Sequence, residues 1–419
     1  VKVNVKYKFF VLIFLFVLPA ASQQLSVKTD RANAIYDINS TAIFTVSCSA
    51  GSEIEYVLSN DGRDVIKSGT IECIDGNAQI EGCLNKAGFL LCSVSCISAA
   101  GEQSTASIGA GFEPEKIKPA ENHLPKDFDA FWKKHKQLLN SIPLKSELTF
   151  VSDQNGFTIY DANISCYGQP VRGYYARPNG ARKHSCPAIA FFQGAGVYSA
   201  NTVWIKQYCK KGFIALEVNA HGLRNGRARN FYDDIHNTTL KDYQYFGRTD
   251  REKSYFLGMF LRAVRTLQFL KAQPEWDGKI LVAFGTSQGG AQAIAAGGLD
   301  TDVTFVFAGV PAMCDHGGYI AGWPRWADFK PNGCYNQTML NTSKYFDCVN
   351  FACKTKADGF FTVGFADQIC RPTSIYAMYN SYQGRKEIFS VPDMGHSIPA
   401  EHEQMAQQRI LNHAFQRHQ

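Results

Sequence analysis

Two periodicities divide the chain. Between residue 25 and about residue 112, apolar and polar residues alternate over short runs such as AIFTVSC (Ala42–Cys48), EIEYVLS (Glu53–Ser59) and GFLLCSVSC (Gly88–Cys96). Side chains at every second position share one face of a strand, so each run reads as a half-buried β-strand. Turn-forming triplets, Asn60-Asp61-Gly62 and Asp75-Gly76-Asn77, separate such runs. Six to eight strands in about ninety residues predict an immunoglobulin-like β-sandwich over residues 23–112. The stretch Glu113–Asp127 holds three prolines and many charges; its residues 113–123 read as a linker.

Beyond it the pattern changes. FDAFWKKHKQLLNSI (Phe128–Ile142) carries its apolar residues at helical spacing. Antiparallel strands are expected next, and then strand–turn–helix alternation. The apolar runs are Ala188–Gly194, Phe213–Asn219, Ile280–Gly285, Val303–Val310 and Phe360–Ala366. Between the second and third lies Ser254–Gln273, apolar at helical spacing and ended by Pro274. This order predicts an α/β domain over residues 124–419, built on a mostly parallel sheet with helices on both faces.

The first residues have a different reading. Lys2, Lys6 and Lys8 precede an apolar run, Phe9–Leu18, and the small-residue stretch Pro19–Ser22. A secretory signal peptide over residues 1–22 is expected, and with it a secreted or periplasmic protein. About ten apolar residues are too few to span a bilayer, and no later segment is a membrane span. The formal charge of +6 includes those three lysines, and no basic block stands out, so nucleic acid is not an expected partner. Thirteen cysteines fix no connectivity. With no C-x-x-C or H-E-x-x-H spacing, neither a metal nor another cofactor is expected.

The chemistry is concentrated at LVAFGTSQGGAQAI (Leu281–Ile294), where a buried-looking strand runs into Gly-Thr-Ser-Gln-Gly and restarts at once as a helix. G-x-S-x-G at a strand–helix junction is a nucleophile elbow, which holds Ser287 exposed on a sharp turn. The N–H of Gln288, at the helix start, then faces negative charge forming beside the serine. In this fold the acid follows the serine and the histidine comes last. Asp367 lies two residues beyond the strand 360–365, and His396 follows one more short strand, Glu387–Val391. Asp315, also just past a strand, is the second candidate acid. Asp393 reads as a surface turn, and His221, His316, His402, His413 and His418 read as loop or surface residues. The loop QGAGVYSA (Gln193–Ala200) is expected to supply the second oxyanion donor from Ala195 N–H.

These residues together resemble the acetyl xylan esterase and cephalosporin-C deacetylase family, carbohydrate esterase family seven of the α/β-hydrolase fold. GTSQGG (Gly285–Gly290) is the most specific motif. LPKDFDAFW (Leu124–Trp132), Arg262–Gly285 and DQICRPTSIYAMYN (Asp367–Asn380) support it over roughly residues 124–419. The resemblance implies Ser287 as nucleophile, Asp367 as acid, His396 as base, Gln288 and Ala195 as oxyanion donors, and an acetylated oligosaccharide or small acetate ester as substrate. Gln193, Ala195 and Arg371 depart from the family's usual histidine, tyrosine and proline, and its best-known compact members have no sandwich. Two other readings are a serine hydrolase of another ester or peptide bond, and a carbohydrate-binding protein with a vestigial hydrolase domain. The aromatic segment Gly317–Phe329, with Trp323 and Trp326, reads as a cap, a subunit contact in a homo-oligomer, or a substrate-binding wall on the acyl side of the pocket.

Overall fold

The computed structural model describes residues 25–49, 51–97, 101–121, 123–321 and 337–416. The expected signal peptide, Trp323, Trp326 and His418 lie outside the described residues.

Eight strands occupy residues 26–112, in a three-stranded and a five-stranded sheet. Their alternation is plain in burial. In Ala42–Ser47 and Asn77–Gly82 every second side chain is buried, and the two strands pair antiparallel from Ala42↔Gly82 to Ser47↔Asn77. Phe44, Ile54, Leu58, Ile80, Cys92, Val94 and Ile108 fill the space between the sheets. A Cys48–Cys73 disulfide links two strand ends. An all-β sandwich therefore precedes the catalytic sheet.

Nine strands form the third sheet. In spatial order they are Lys386–Val391, Asp358–Gly364, Phe305–Gly309, Trp276–Thr286, Cys186–Phe192, Ile214–Val218, Val171–Pro178, Phe157–Ile164 and Ser146–Gln154. The first six pair parallel and the last three antiparallel. Strands buried on both faces do not alternate: Phe305–Gly309 is a continuous apolar run, and Ile214–Val218 is one but for Glu217. Helix Tyr255–Lys271 is buried on nearly every residue and ends before Pro274, as its spacing predicts. The register brings the strand ends level: Phe192 pairs Gly285, Gly285 pairs Ala308, Ala308 pairs Phe361 and Phe361 pairs Ile388. Ala195, Ser287, Asp367 and His396 all follow those residues closely in sequence, so the sheet delivers them to a single edge.

The segment read as a linker is packed rather than free. Asn380 Nδ2 donates to the carbonyls of Pro114 and Ile117, and Ile117 is buried. The sandwich itself sits on the catalytic domain. Phe89, fully buried, lies 4.7 Å from the Phe365 ring and 5.3 Å from the Tyr376 ring. Gly109 N–H donates to Pro392 O at 2.8 Å, and a Cβ on Gly109 would lie 2.5 Å from both the Cβ and the carbonyl oxygen of Phe365. Emptying the Phe89 site should therefore weaken both units together. We expect Phe89→Ala to cost about 3–5 kcal/mol in urea denaturation; a loss under about 1 kcal/mol would show that the contact contributes little to stability.

Candidate active site

At the elbow, backbone comes so close to backbone that side chains have no room. A Cβ on Gly285 would lie 2.1 Å from the carbonyl oxygen of Gly289, and a Cβ on Gly289 would lie 2.1 Å from that of Phe192. Only glycine lets the strand Trp276–Thr286, the helix Gln288–Leu299 and the neighbouring strand end meet there. Ser287, between them, takes φ 56° and ψ −121°, a conformation that an L-residue holds only when its surroundings impose it. Its N–H donates to Gly309 O at 2.8 Å, and its carbonyl accepts from Ala312 N at 3.0 Å and Ala291 N at 3.1 Å. The turn is locked at both ends.

Three side chains form a hydrogen-bonded row. Ser287 Oγ lies 3.0 Å from His396 Nε2, and His396 Nδ1 lies 2.8 Å from Asp367 Oδ2. A carboxylate accepts only, so Nδ1 carries the proton and Nε2 is left to accept from the serine hydroxyl. The Asp367 side chain is fully buried, while that of His396 keeps 21% of its surface open. The other oxygen, Asp367 Oδ1, accepts from the N–H groups of Ile369 and Cys370 at 2.8 and 2.9 Å. This local turn gives the aspartate and cysteine of Asp367-Gln-Ile-Cys370 their spacing. Burial pushes the Cys370 thiol well up, so it stays protonated beneath the serine.

Asp315, the second candidate acid, faces elsewhere. Its Oδ1 accepts from Ala120 N at 2.9 Å, tying the segment before the catalytic domain to the strand end. Asp393 is exposed, as expected of a surface turn. Four histidines expected on loops or the surface are buried instead: His221, His316, His402 and His413 are only 2%, 3%, 3% and 4% exposed. Sequence spacing carries no sign of this, because each is covered by an element distant in sequence. His413, for example, meets Asp358 at 3.0 Å.

His221 matters most of the four, because it holds the loop after Phe192. Its Nε2 lies 2.9 Å from Gly196 O and its Nδ1 lies 2.7 Å from Tyr255 Oη. The carbonyl requires an Nε2 proton, which leaves Nδ1 to accept from the tyrosine. Neutral His221 satisfies both. Burial draws its pKa down to about 4. The same loop is pinned by Gln292 Nε2 on Gln193 O at 2.9 Å, Gln288 Nε2 on Gly194 O at 3.2 Å and Asn219 Nδ2 on Tyr198 O at 2.9 Å. Tyr243 Oη donates to Gln288 Oε1 at 2.5 Å, which orients that amide. In a planar trans peptide the C=O and N–H point opposite ways. Pinning Gly194 O therefore aims Ala195 N–H away from the Gln288 side chain. Gln288 N–H, at the first helical residue, has no intrahelical acceptor.

With that geometry in hand, likeness to known proteins becomes informative. Residues 115–414 match the family described as acetyl xylan esterase (AXE1). The chain belongs to the acetyl xylan esterase family. It is 31% identical over 362 residues to the acetyl esterase Axe7A of Xylanibacter ruminicola, covering 83% of this chain and 80% of that protein. Residues 115–419 make up less than three quarters of the chain, so that likeness reaches back into the sandwich. An acetyl xylan esterase structure from Paenibacillus sp. R4 superimposes with a TM-score of 0.62 at 26% identity, over 72% of this chain and 98% of that one. One from Thermoanaerobacterium sp. JW/SL YS485 gives 0.59 at 24% identity over the same shares, a likeness of fold. This acetyl xylan esterase family member is thus a carboxylic ester hydrolase, a serine hydrolase with the α/β-hydrolase fold.

The loop's supports are also sensitive to pH. Glu217, buried on the strand Ile214–Val218, accepts from Asn201 N at 2.9 Å, and burial raises its pKa to about 7. His221, lowered from 6.5 to about 4, contributes stability that is complete above pH 6.5 and is lost as pH falls toward 4. Glu217, raised from 4.5 to about 7, contributes stability complete below pH 4.5 and lost as pH rises through 7. We expect His221→Gln to flatten the acid limb of the urea midpoint against pH, and Glu217→Gln to flatten the limb between 4.5 and 7. Unchanged slopes in both variants would refute this linkage.

Proposed function

We propose that this protein is a secreted serine esterase that removes O-acetyl groups from xylan-derived or other acetylated saccharides, with Ser287, His396 and Asp367 as its catalytic triad. The observation that carries the reading is the row of hydrogen bonds, 3.0 Å from Ser287 to His396 and 2.8 Å from His396 to Asp367. Acetyl esterase activity in the relative from Xylanibacter ruminicola supports the choice of acyl group. Export is supported by the lysine-led apolar run at residues 2–22 and by the Cys48–Cys73 disulfide, a bond of oxidising compartments.

In the proposed reaction, Ser287 Oγ attacks the acetyl carbonyl carbon while His396 Nε2 takes its proton. Buried Asp367 holds the imidazole tautomer and stabilises the imidazolium. The oxyanion is received by the N–H groups of Gln288 and Ala195, and each such donor is worth on the order of 100-fold or more in rate. Collapse of the tetrahedral intermediate releases the sugar hydroxyl, which takes its proton from His396. Water then attacks the acetyl-enzyme, with His396 again as base, and acetate leaves. Protein groups supply every proton transfer in this sequence.

Ser287→Ala should fold normally and lose all but a trace of acetate release from acetylated xylo-oligosaccharides, because only the nucleophile's oxygen is removed. Asp367→Asn should lower kcat by several orders of magnitude, whereas Asp315→Asn should retain most activity. The reverse order would assign the acid to Asp315.

Trp323 and Trp326 are proposed, on sequence grounds, as the wall that limits acyl length. Acetate esters should then be preferred over butyrate by at least about tenfold, roughly 1.4 kcal/mol in the transition state. Trp323→Ala or Trp326→Ala should relax that preference, and equal wild-type turnover of acetate and octanoate would remove the wall from the proposal.

A further inference from the structure

We infer that the sandwich supplies a saccharide subsite, a groove that holds the neutral sugar chain on the leaving-group side of the active site. This inference rests on the esterase reading given above. Its first ground is where the leaving group must lie. His396 Nε2 is the only acid in the proposed triad that can protonate the departing oxygen, so the sugar must sit on the histidine's side of Ser287. The loop carrying His396 is the one on which the sandwich rests, through Gly109 N–H on Pro392 O at 2.8 Å. Arg371, four residues beyond Asp367, adds a second tie by donating to Asp61 O at a sandwich turn.

A groove of about 670 Å³ lies at this junction. One wall is made by Gln368, next to Asp367, and Asp393, three residues before His396. The opposite wall is the five-stranded sheet, flanked by Leu25, Ser26 and Val27. Its register aligns Glu55, Ser95 and Thr105 in one row across three strands, and Val57, Ser93 and Ser107 in the next. All six line the groove. Alternation keeps their neighbours Ile54, Leu58 and Cys92 in the core, so the two outward rows carry four small hydroxyl side chains beside Glu55 and Val57.

The chemistry of that surface selects its ligand. Hydroxyls, the amides of Gln103 and Gln368, and the carboxylates of Glu55 and Asp393 can donate to and accept from sugar hydroxyls. Among the described residues no lysine, arginine or histidine lines the groove, and the carboxylates of Glu55 and Asp393 repel anions. A neutral polyhydroxyl chain fits; a phosphorylated or uronate-rich one does not. Strands about 4.8 Å apart offer such a chain repeated rows of partners.

Thr105→Trp and Ser95→Trp test the inference in the full-length protein. Both replace groove-lining side chains on a strand face, where an aromatic residue suits the local structure. Hydrolysis of 4-nitrophenyl acetate, which does not reach the groove, should stay within about twofold of wild type. Deacetylation of acetylated xylo-oligosaccharides of four or more sugars should fall at least about tenfold in kcat/KM, through KM. Unmodified xylohexaose, titrated at millimolar concentration, should bind the wild type and not the Thr105→Trp variant. Wild-type turnover of long substrates by both variants would overturn the subsite. So would an equal loss on both substrates, which would mean that the sandwich acts only through the triad, and so would absence of xylohexaose binding to the wild type. Binding of xylohexaose by a wild type inert toward every acetate ester would instead retain the groove and sink the catalytic reading.

Discussion

The active site depends on one close approach, the first turn of the helix Gln288–Leu299 against the carbonyl of Phe192. Any side chain at Gly289 would put a carbon 2.1 Å from that oxygen. Because the gap is closed by backbone alone, the helix start, the serine turn and the loop beyond Phe192 are one rigid body. Gln288 and Gln292, on the same helix, then reach across to hold the carbonyls of Gly194 and Gln193. The strain stored at Ser287 is offset by hydrogen bonds to Gly309, Ala312 and Ala291. Moving that helix by an ångström would displace Ser287 and the loop Gln193–Ala200 together.

Much of this could be read from residue order, and the reasons are local. Apolar alternation located three of the eight sandwich strands, and apolar runs located the central strands of the larger sheet to within a few residues. The glycines around Ser287 announced the tight turn because backbone proximity excludes every other residue type. What sequence could not supply was contact across distance. His221 gives no sign that it is buried, since Tyr255, 34 residues later, covers it. Nor does Arg371 reveal that it reaches Asp61, 310 residues earlier. The stretch of residues 113–123 read as a linker because its charges and prolines describe its composition, while the contacts that anchor it are made by Asn380 and Asp315.

The loop beneath the reacting centre also follows a consistent electrostatic logic. His221 and Glu217 are buried near it, and burial shifts each toward its neutral form. Neutral supports keep their hydrogen bonds without adding a fixed charge close to the proposed oxyanion site. A charged imidazolium at His221 would give up the bond it accepts from Tyr255, while its Nε2 would still donate to Gly196 O.

The seating of the sandwich on the loops of Asp367 and His396 has a consequence for biosynthesis. Chains emerge N-terminus first, and domains generally fold as units in that order. The eight sandwich strands, complete by Phe112, can be assembled long before the strands Asp358–Gly364 and Lys386–Val391 have left the ribosome. The loops of Asp367 and His396, among the last parts to be made, therefore settle onto a surface that is already waiting for them. Phe365 finds Phe89 in place, and Pro392 finds the N–H of Gly109. In this protein the N-terminal domain can act as a template for the last-made loops of the α/β domain.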